Sequence, residues 1–292
     1  MWACDKGYLP RVVELIEWTS DVNAVDANGC APLHFACAKG HLEVARELLK
    51  RGAKIEAKSK NGWTALHDAS FYGHAALMRL LLDEGAQFEA KCNIGGTPLY
   101  RASQEGKLEA VRLLLERGAV ADARTTNGFT ALMIAGENGH AAVVRELLQR
   151  GADANAHAND GCTALHAASN NGQAEAMREL LKRHDVNVNA QDNDGATPLM
   201  DACSEGHLMA ATLLIGHGAD LALLDNSGES ALRIAEQLVG HDEEEPTDSD
   251  DDEDDEDDED DEDDADAKRE RREKLHEQHR LIVTMLRVHG AA

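Results

Sequence analysis

The chain has 292 residues and a mass of 31.6 kDa, with 55 acidic against 29 basic side chains and a formal net charge of −26. Four Phe, three Trp and three Tyr are too few aromatics for a conventional core at this length, so the interior has to be built from Leu, Ala and Val. The charge disfavours nonspecific binding to nucleic-acid phosphates and to anionic membranes, which both need a basic surface, and no apolar run approaches the ~18 residues of a membrane span.

The N-terminus, Met1-Trp2-Ala3-Cys4-Asp5-Lys6, lacks the charged-then-apolar layout of a secretory leader. Cysteines at 4, 30, 37, 92, 162 and 203 form no C-x-x-C pair, which fits free thiols in a reducing compartment. A cytoplasmic location is expected, with the nucleus as the alternative.

Residues 1–24 read as part of a unit. Trp2 to Gly7 match the late part of a first helix, and Val12, Val13, Leu15 and Ile16 match a second. The unit's turn and first helix start are missing. Either this end is a degenerate cap or the sequence is a fragment of a longer chain, and the fragment is favoured slightly.

From residue 25 the chain repeats itself. Glycines recur with a constant step at 29, 62, 95, 128 and 161, then at 195, where the step is longer by one, and at 228. Directly after each glycine a short motif recurs, as in Trp63-Thr64-Ala65-Leu66-His67, Gly96-Thr97-Pro98-Leu99-Tyr100 and Cys162-Thr163-Ala164-Leu165-His166. Thr64, Thr97, Thr130, Thr163, Thr197 and Ser230 suit the cap position, where a hydroxyl accepts from free helix N–H groups; Ala31 is the exception. Pro32, Pro98 and Pro198 fit the first helical position. Gly40, Gly73, Gly106, Gly139, Gly172 and Gly206 are expected to end this short helix in a left-handed conformation. A second helix follows, with Leu42, Val44, Ala45, Leu48 and Leu49 on one face in the first full repeat. Gly52 ends it, and the polar stretch to Asn61-Gly62 reads as a hairpin turn.

These motifs closely resemble the ankyrin repeat, whose pattern includes T-P-L-H-x-A at a 33-residue period. The resemblance implies an all-α repeat solenoid: antiparallel helix pairs stacked side by side, with β-hairpin loops projecting from the stack. Six repeats occupy residues 25–222. Repeat five is one residue longer, with His184 where Gly is expected. The final repeat is split between 223–241 and 275–292. Its first helix runs from Ser230 to about Val239, and its second reappears at Arg280 with Leu281, Ile282, Met285 and Leu286 on one face. The stretch between, 242–267, is an acidic insertion: residues 242 to 266 hold 21 of the 55 acids and no base. Disorder is its default expectation, because it lacks apolar side chains and repels itself. Lys268 to Lys274 are expected to extend the final helix backwards.

Candidate chemistry is sparse. His34, His67 and His166 end the Thr-x-x-His motif, and His41, His74, His140 and His207 follow the helix-ending glycines. Both sets read as structural, since metal ligands must converge rather than recur once per repeat. His276 and His279 share a helix face, read as solvated rather than metal-binding. No phosphate loop and no G-x-S-x-G occur, and no cofactor, metal or catalytic constellation is expected. Thr247 and Ser249 carry an acid three residues on, which is similar to an acidophilic kinase consensus.

The informative positions are those where ankyrin repeats vary, the hairpin tips and first-helix ends. Trp63, Phe71, Tyr72, Ile94 and Phe129 fall there, on one expected concave strip. Asp68 and Arg101 stand one period apart and are expected to form a salt bridge across adjacent repeats. Glu105, Glu137 and Glu205 continue an acidic edge suited to a basic partner. The reading is a monomeric, non-catalytic scaffold that binds another protein there. Two alternatives stand beside it: the acidic insertion binds basic proteins by charge, or the array is the targeting arm of a larger enzyme.

Overall fold

The computed structural model describes residues 1–19, 21–241 and 262–290. Among them the architecture is helical throughout, with no β-strand. Helices of odd number form an inner row: α1 (Trp2–Asp5), α3 (Pro32–Lys39), α5 (Ala65–Tyr72), α7 (Pro98–Gln104), α9 (Ala131–Glu137), α11 (Ala164–Asn170), α13 (Pro198–Ser204) and α15 (Ala231–His241). Those of even number form an outer row: α2 (Leu9–Thr19), α4 (Leu42–Lys50), α6 (Ala75–Asp83), α8 (Leu108–Glu116), α10 (Ala141–Gln149), α12 (Ala174–Leu181), α14 (Leu208–Gly216) and α16 (Glu262–Val288). Each helix packs on its own pair mate and on its row neighbours in the adjacent repeats. Burial is therefore built unit by unit, as a solenoid requires.

Packing explains the monotonous composition. Ala36, Ala69, Ala102, Ala135, Ala168, Ala202 and Ala235 occupy one register position of the inner row, and all are fully buried. Small side chains let neighbouring helices approach closely. Leucines fill the wider space between the rows: Leu33, Leu66, Leu99, Leu132, Leu165 and Leu199 from the inner helices, and Leu48, Leu81, Leu114, Leu147, Leu180 and Leu214 from the outer ones. Few aromatics are needed because no part of the interior is thicker than a helix pair.

The helix starts are capped largely as the residues imply. Thr97, Thr130, Thr163 and Thr197 accept from the backbone N–H three residues on, and the Ser230 hydroxyl accepts from Arg233. At Thr64 the hydroxyl instead lies 2.9 Å from His67 Nδ1. The three motif histidines work alike. His67 Nδ1 accepts from the Thr64 N–H, and its Nε2–H donates to the Gly96 carbonyl of the next repeat at 3.1 Å. His34 and His166 do the same toward Trp63 and Ala196. Where the motif carries Met, the sulfur of Met133 or Met200 takes over the Nδ1 role at 3.4 Å.

The second histidine set ties each repeat to the one before. His41, His74, His140 and His207 donate from Nε2 to the carbonyls of Asp5, Ala38, Gln104 and Asn170. The ring of His140 lies against Gly106 so closely that a Cβ there would sit 2.6 Å from Nδ1, and Gly106 itself has φ +64°. Glycine is thus required both for the turn and for the imidazole beneath it.

The expected hairpins are tight turns rather than paired strands. Each closes with two backbone bonds, such as Ser59 N–H to Trp63 O at 2.9 Å and Gly62 N–H to Ser59 O at 2.8 Å, and joins its neighbour by one more, such as Lys60 N–H to Asn28 O at 2.8 Å. Bonds of this second kind run from turn to turn between Asn28 and Asn226, but they do not extend into strand ladders. The extra residue of repeat five is absorbed after α12, which ends at Leu181, and α11 and α12 keep their contacts with α13 and α14.

The last helix pair is α15 and α16, which pack on one another from either side of the acidic stretch. Two details differ from the expectation. The helix α15 runs through Gly240 to His241 instead of stopping there. His279 of α16 takes the place of the linking histidine: it is buried and donates to the Ser204 carbonyl at 3.2 Å, so it is not on a solvated face. His279, Ile282 and Leu286 keep the mutual spacing of His207, Ala210 and Leu214 in the repeat before. Ile282, Val283 and Leu286 are buried, whereas Leu281 points outward. Residues 262–267 of the stretch read as an acidic insertion belong to α16; residues 242–261, with Thr247 and Ser249, lie outside the described residues.

Candidate partner-binding site

The inner helices and the turns that precede them line one side of the stack. In repeats two and three this side gathers most of the residues singled out from the sequence. Trp63 follows the turn glycine, and Phe71 and Tyr72 stand at the far end of α5. The Trp63 and Phe71 rings lie 5.3 Å apart, and Phe71 meets Tyr72 edge-on at 5.1 Å. Tyr72 also stacks near His74, and Trp63 near His67. These are offset or edge-to-face contacts of the kind aromatic rings favour. Tyr72 is 49% exposed and Ile94, at the next turn, 45% exposed, so the patch faces solvent. Phe129 is partly buried and packs against the hydrophobic core.

The ion pair expected between Asp68 and Arg101 is not formed. The Arg101 guanidinium lies over the Trp63 ring, 4.6 Å from its centroid, and 5.7 Å from that of Tyr100. Its NH1 donates to Gln104 Oε1 at 2.7 Å and its NH2 reaches Cys92 Sγ at 3.6 Å. The guanidinium is held instead by the Trp63 ring of the preceding repeat and by Gln104 of its own helix. Both would-be partners keep an unpaired polar atom: Arg101 Nε and Asp68 Oδ2 are buried without a hydrogen bond. Burial pushes the Asp68 carboxyl up to about 8.

Glu105, Glu137 and Glu205 stand where α7, α9 and α13 end, along the same side. Burial raises the Glu137 carboxyl above its ordinary range. Further along, Asp201 stands in the register position of Asp68; burial, then the charges of Asp192 and Glu205, raise it to about 7. Asp201 and Tyr100 are residues that sequence reasoning passed over. The repeat register would have found both, Asp201 as the counterpart of Asp68 and Tyr100 as the counterpart of His67.

No group of three or more His, Cys, Asp or Glu converges as a metal site among the described residues. The six cysteines are free, with Cys4, Cys37, Cys92 and Cys203 buried. Burial raises the Cys37 thiol well above its usual range and pushes Cys203 up to about 12, so these sulfurs behave as small apolar groups. Among the described residues no helix is long and apolar enough to cross a membrane.

Fold and site together define a helical repeat solenoid with an aromatic patch on the side lined by its turns and inner helices. A family model described as ankyrin repeats matches residues 1–92, 87–158, 138–225 and 165–243, and the chain belongs to the ankyrin-repeat family. The crystal structure of the human ASB11 ankyrin repeat domain superposes with a TM-score of 0.64 at 28% identity, covering 70% of this chain and 91% of that one. A Caenorhabditis elegans protein, the ankyrin repeat and LEM domain-containing protein 1 homolog, is 48% identical over 50 residues, which is 17% of this chain and 7% of that protein. The similarity thus spans a small part of the nematode protein's length. Ankyrin repeats form protein–protein interaction domains.

Proposed function

We infer that this chain is a non-catalytic scaffold that binds a partner protein on the side lined by its turns and inner helices, centred on Trp63, Phe71, Tyr72 and Arg101. Asp68, Ile94, Glu105 and Phe129 flank that centre. The observation that carries the reading is the patch of three rings and a guanidinium, solvent-facing on a rigid stack. Aromatic and arginine side chains held in place by their neighbours lose little entropy on binding, and they dominate the energetics of interfaces. The test is affinity capture with the wild-type chain and with a Trp63→Ala, Tyr72→Ala, Phe129→Ala variant. Loss of bound partners is expected; a variant that keeps every partner removes this reading.

A second reading has its own support, the 21 acids within residues 242–266. Such a stretch attracts basic proteins by charge alone. Deleting residues 243–266 separates the two: partners bound by charge are lost and show steep salt dependence, while partners bound by the aromatic patch remain.

A further inference from the structure

Asp68 is the side chain of this surface that packing does not explain. Four of its six counterparts in the other repeats are apolar, namely Phe35, Ile134, Ala167 and Ile234, so the position does not demand a charge. Its Oδ2 is buried with no hydrogen-bond partner, and Arg101, the nearest cation by register, is engaged elsewhere. An unpaired buried carboxylate opposes folding. What it retains is an unused acceptor.

The surroundings suit one kind of occupant. Asp68 lies three and four residues before Phe71 and Tyr72, on the same helical face. Trp63 packs on Phe71, and its ring already attracts one cation in Arg101. A carboxylate beside aromatic rings offers a cation both a charge-assisted hydrogen bond and the negative faces of the rings. Glu105 and Glu137 carry the same sign of charge further along the side.

We propose that Asp68, Trp63 and Phe71 form a socket for one cationic side chain, a lysine or an arginine, presented by an extended segment of a partner protein. The proposal rests on the reading that this side binds a partner. On docking, the ammonium or guanidinium donates to the Asp68 carboxylate, and the proton that burial keeps on that carboxyl in the free protein leaves for solvent. The titratable groups that sense the Asp68 charge from the neighbouring repeat are the Cys30 and Cys37 thiols. Both are raised and stay protonated, so neither competes for the cation.

The experiment is an NMR titration of the full chain, following the Trp63 indole N–H. The probes are N-acetyl-lysine methylamide, its arginine analogue and the uncharged norleucine analogue. Saturable shifts are expected with lysine or arginine, and at least about tenfold weaker binding with norleucine or with Asp68→Asn, the loss expected for one hydrogen bond to a charged group. The lysine and arginine arms identify which cation the socket prefers. Equal binding of norleucine, or unchanged binding by Asp68→Asn, overturns the proposal. Asp68→Asn replaces a buried carboxyl with an uncharged group of nearly the same size and therefore keeps the fold. If it also retains partners that the triple aromatic variant loses, the socket is refuted while the scaffold reading stands.

Discussion

The unpaired Asp68 carboxyl makes a quantitative prediction about stability. It titrates at about 8 in the folded chain against 3.8 when unperturbed, so between these values the native state holds a proton that the unfolded chain has lost. Stability therefore falls as pH rises through that window. The span is roughly four pH units, an upper bound of about 6 kcal/mol at about 1.36 kcal/mol per unit. The residue is only half-buried, and solvent on its open side screens the charge, so about 2 kcal/mol is the working expectation. Asp68→Asn has no such titration. Urea unfolding followed by far-ultraviolet circular dichroism, from pH 4 to 9, should show the variant gaining on the wild type by about this amount, most of it before pH 8. His67 acts in the opposite sense, since burial lowers it from 6.5 to about 4: its contribution is complete above pH 6.5 and is lost as pH falls toward 4. Both proteins carry that histidine, so the difference between them isolates Asp68. A gap that stays constant within ~0.5 kcal/mol across the series would refute the claim that Asp68 is buried without a partner. If the gap appears, the wild type carries a destabilising residue at a surface fitted for binding, as a trade of stability for function predicts.

Two further substitutions test how the repeats are joined. His166→Met should cost about 1 kcal/mol in the same unfolding assay, because sulfur can accept from Thr163 as Met133 and Met200 do for their caps, while the bond to the Ala196 carbonyl is lost. His166→Ala, which loses both and leaves a cavity, should cost about 3 kcal/mol. Because burial lowers the His166 pKa, the wild type should lose stability as pH falls below 6.5, and His166→Met should lose less; equal acid sensitivity would count against a neutral histidine. Gly106→Ala and Gly118→Ala both place a side chain at positive φ, +64° and +90°, yet only the first meets the His140 ring. Gly118→Ala should cost about 1 kcal/mol for the backbone alone, and Gly106→Ala about 3 kcal/mol as His140 leaves the Gln104 carbonyl. Equal costs would show that the imidazole contact contributes nothing.

Much of the fold can be read directly from the residues, because each rule involved is local. A cap needs a hydroxyl one position before the helix, a left-handed turn needs glycine, and a helix face needs leucines three and four apart. Regular repetition turns these local rules into a stack, since a unit that exposes an apolar face must cover it with the next. The partnership of α15 with α16 has its own sequence signature, because the apolar pattern resumes in α16 after the acidic stretch.

The candidate site is less legible. Register places Asp68 beside Arg101 in the sequence pattern, but which partner a guanidinium chooses depends on every group within its reach. Arg101 has Trp63, Tyr100, Gln104 and Cys92 around it, and these outcompete a carboxylate in the neighbouring repeat. The helix α15 likewise runs on through Gly240 to His241, and the linking contact comes instead from His279, on the far side of the acidic stretch. The amino-acid sequence alone thus determined the period, the capping and the composition of the core, all properties of short segments. The tertiary structure decided which charges pair and which remain alone, because that outcome is a competition among side chains brought together only when the repeats stack.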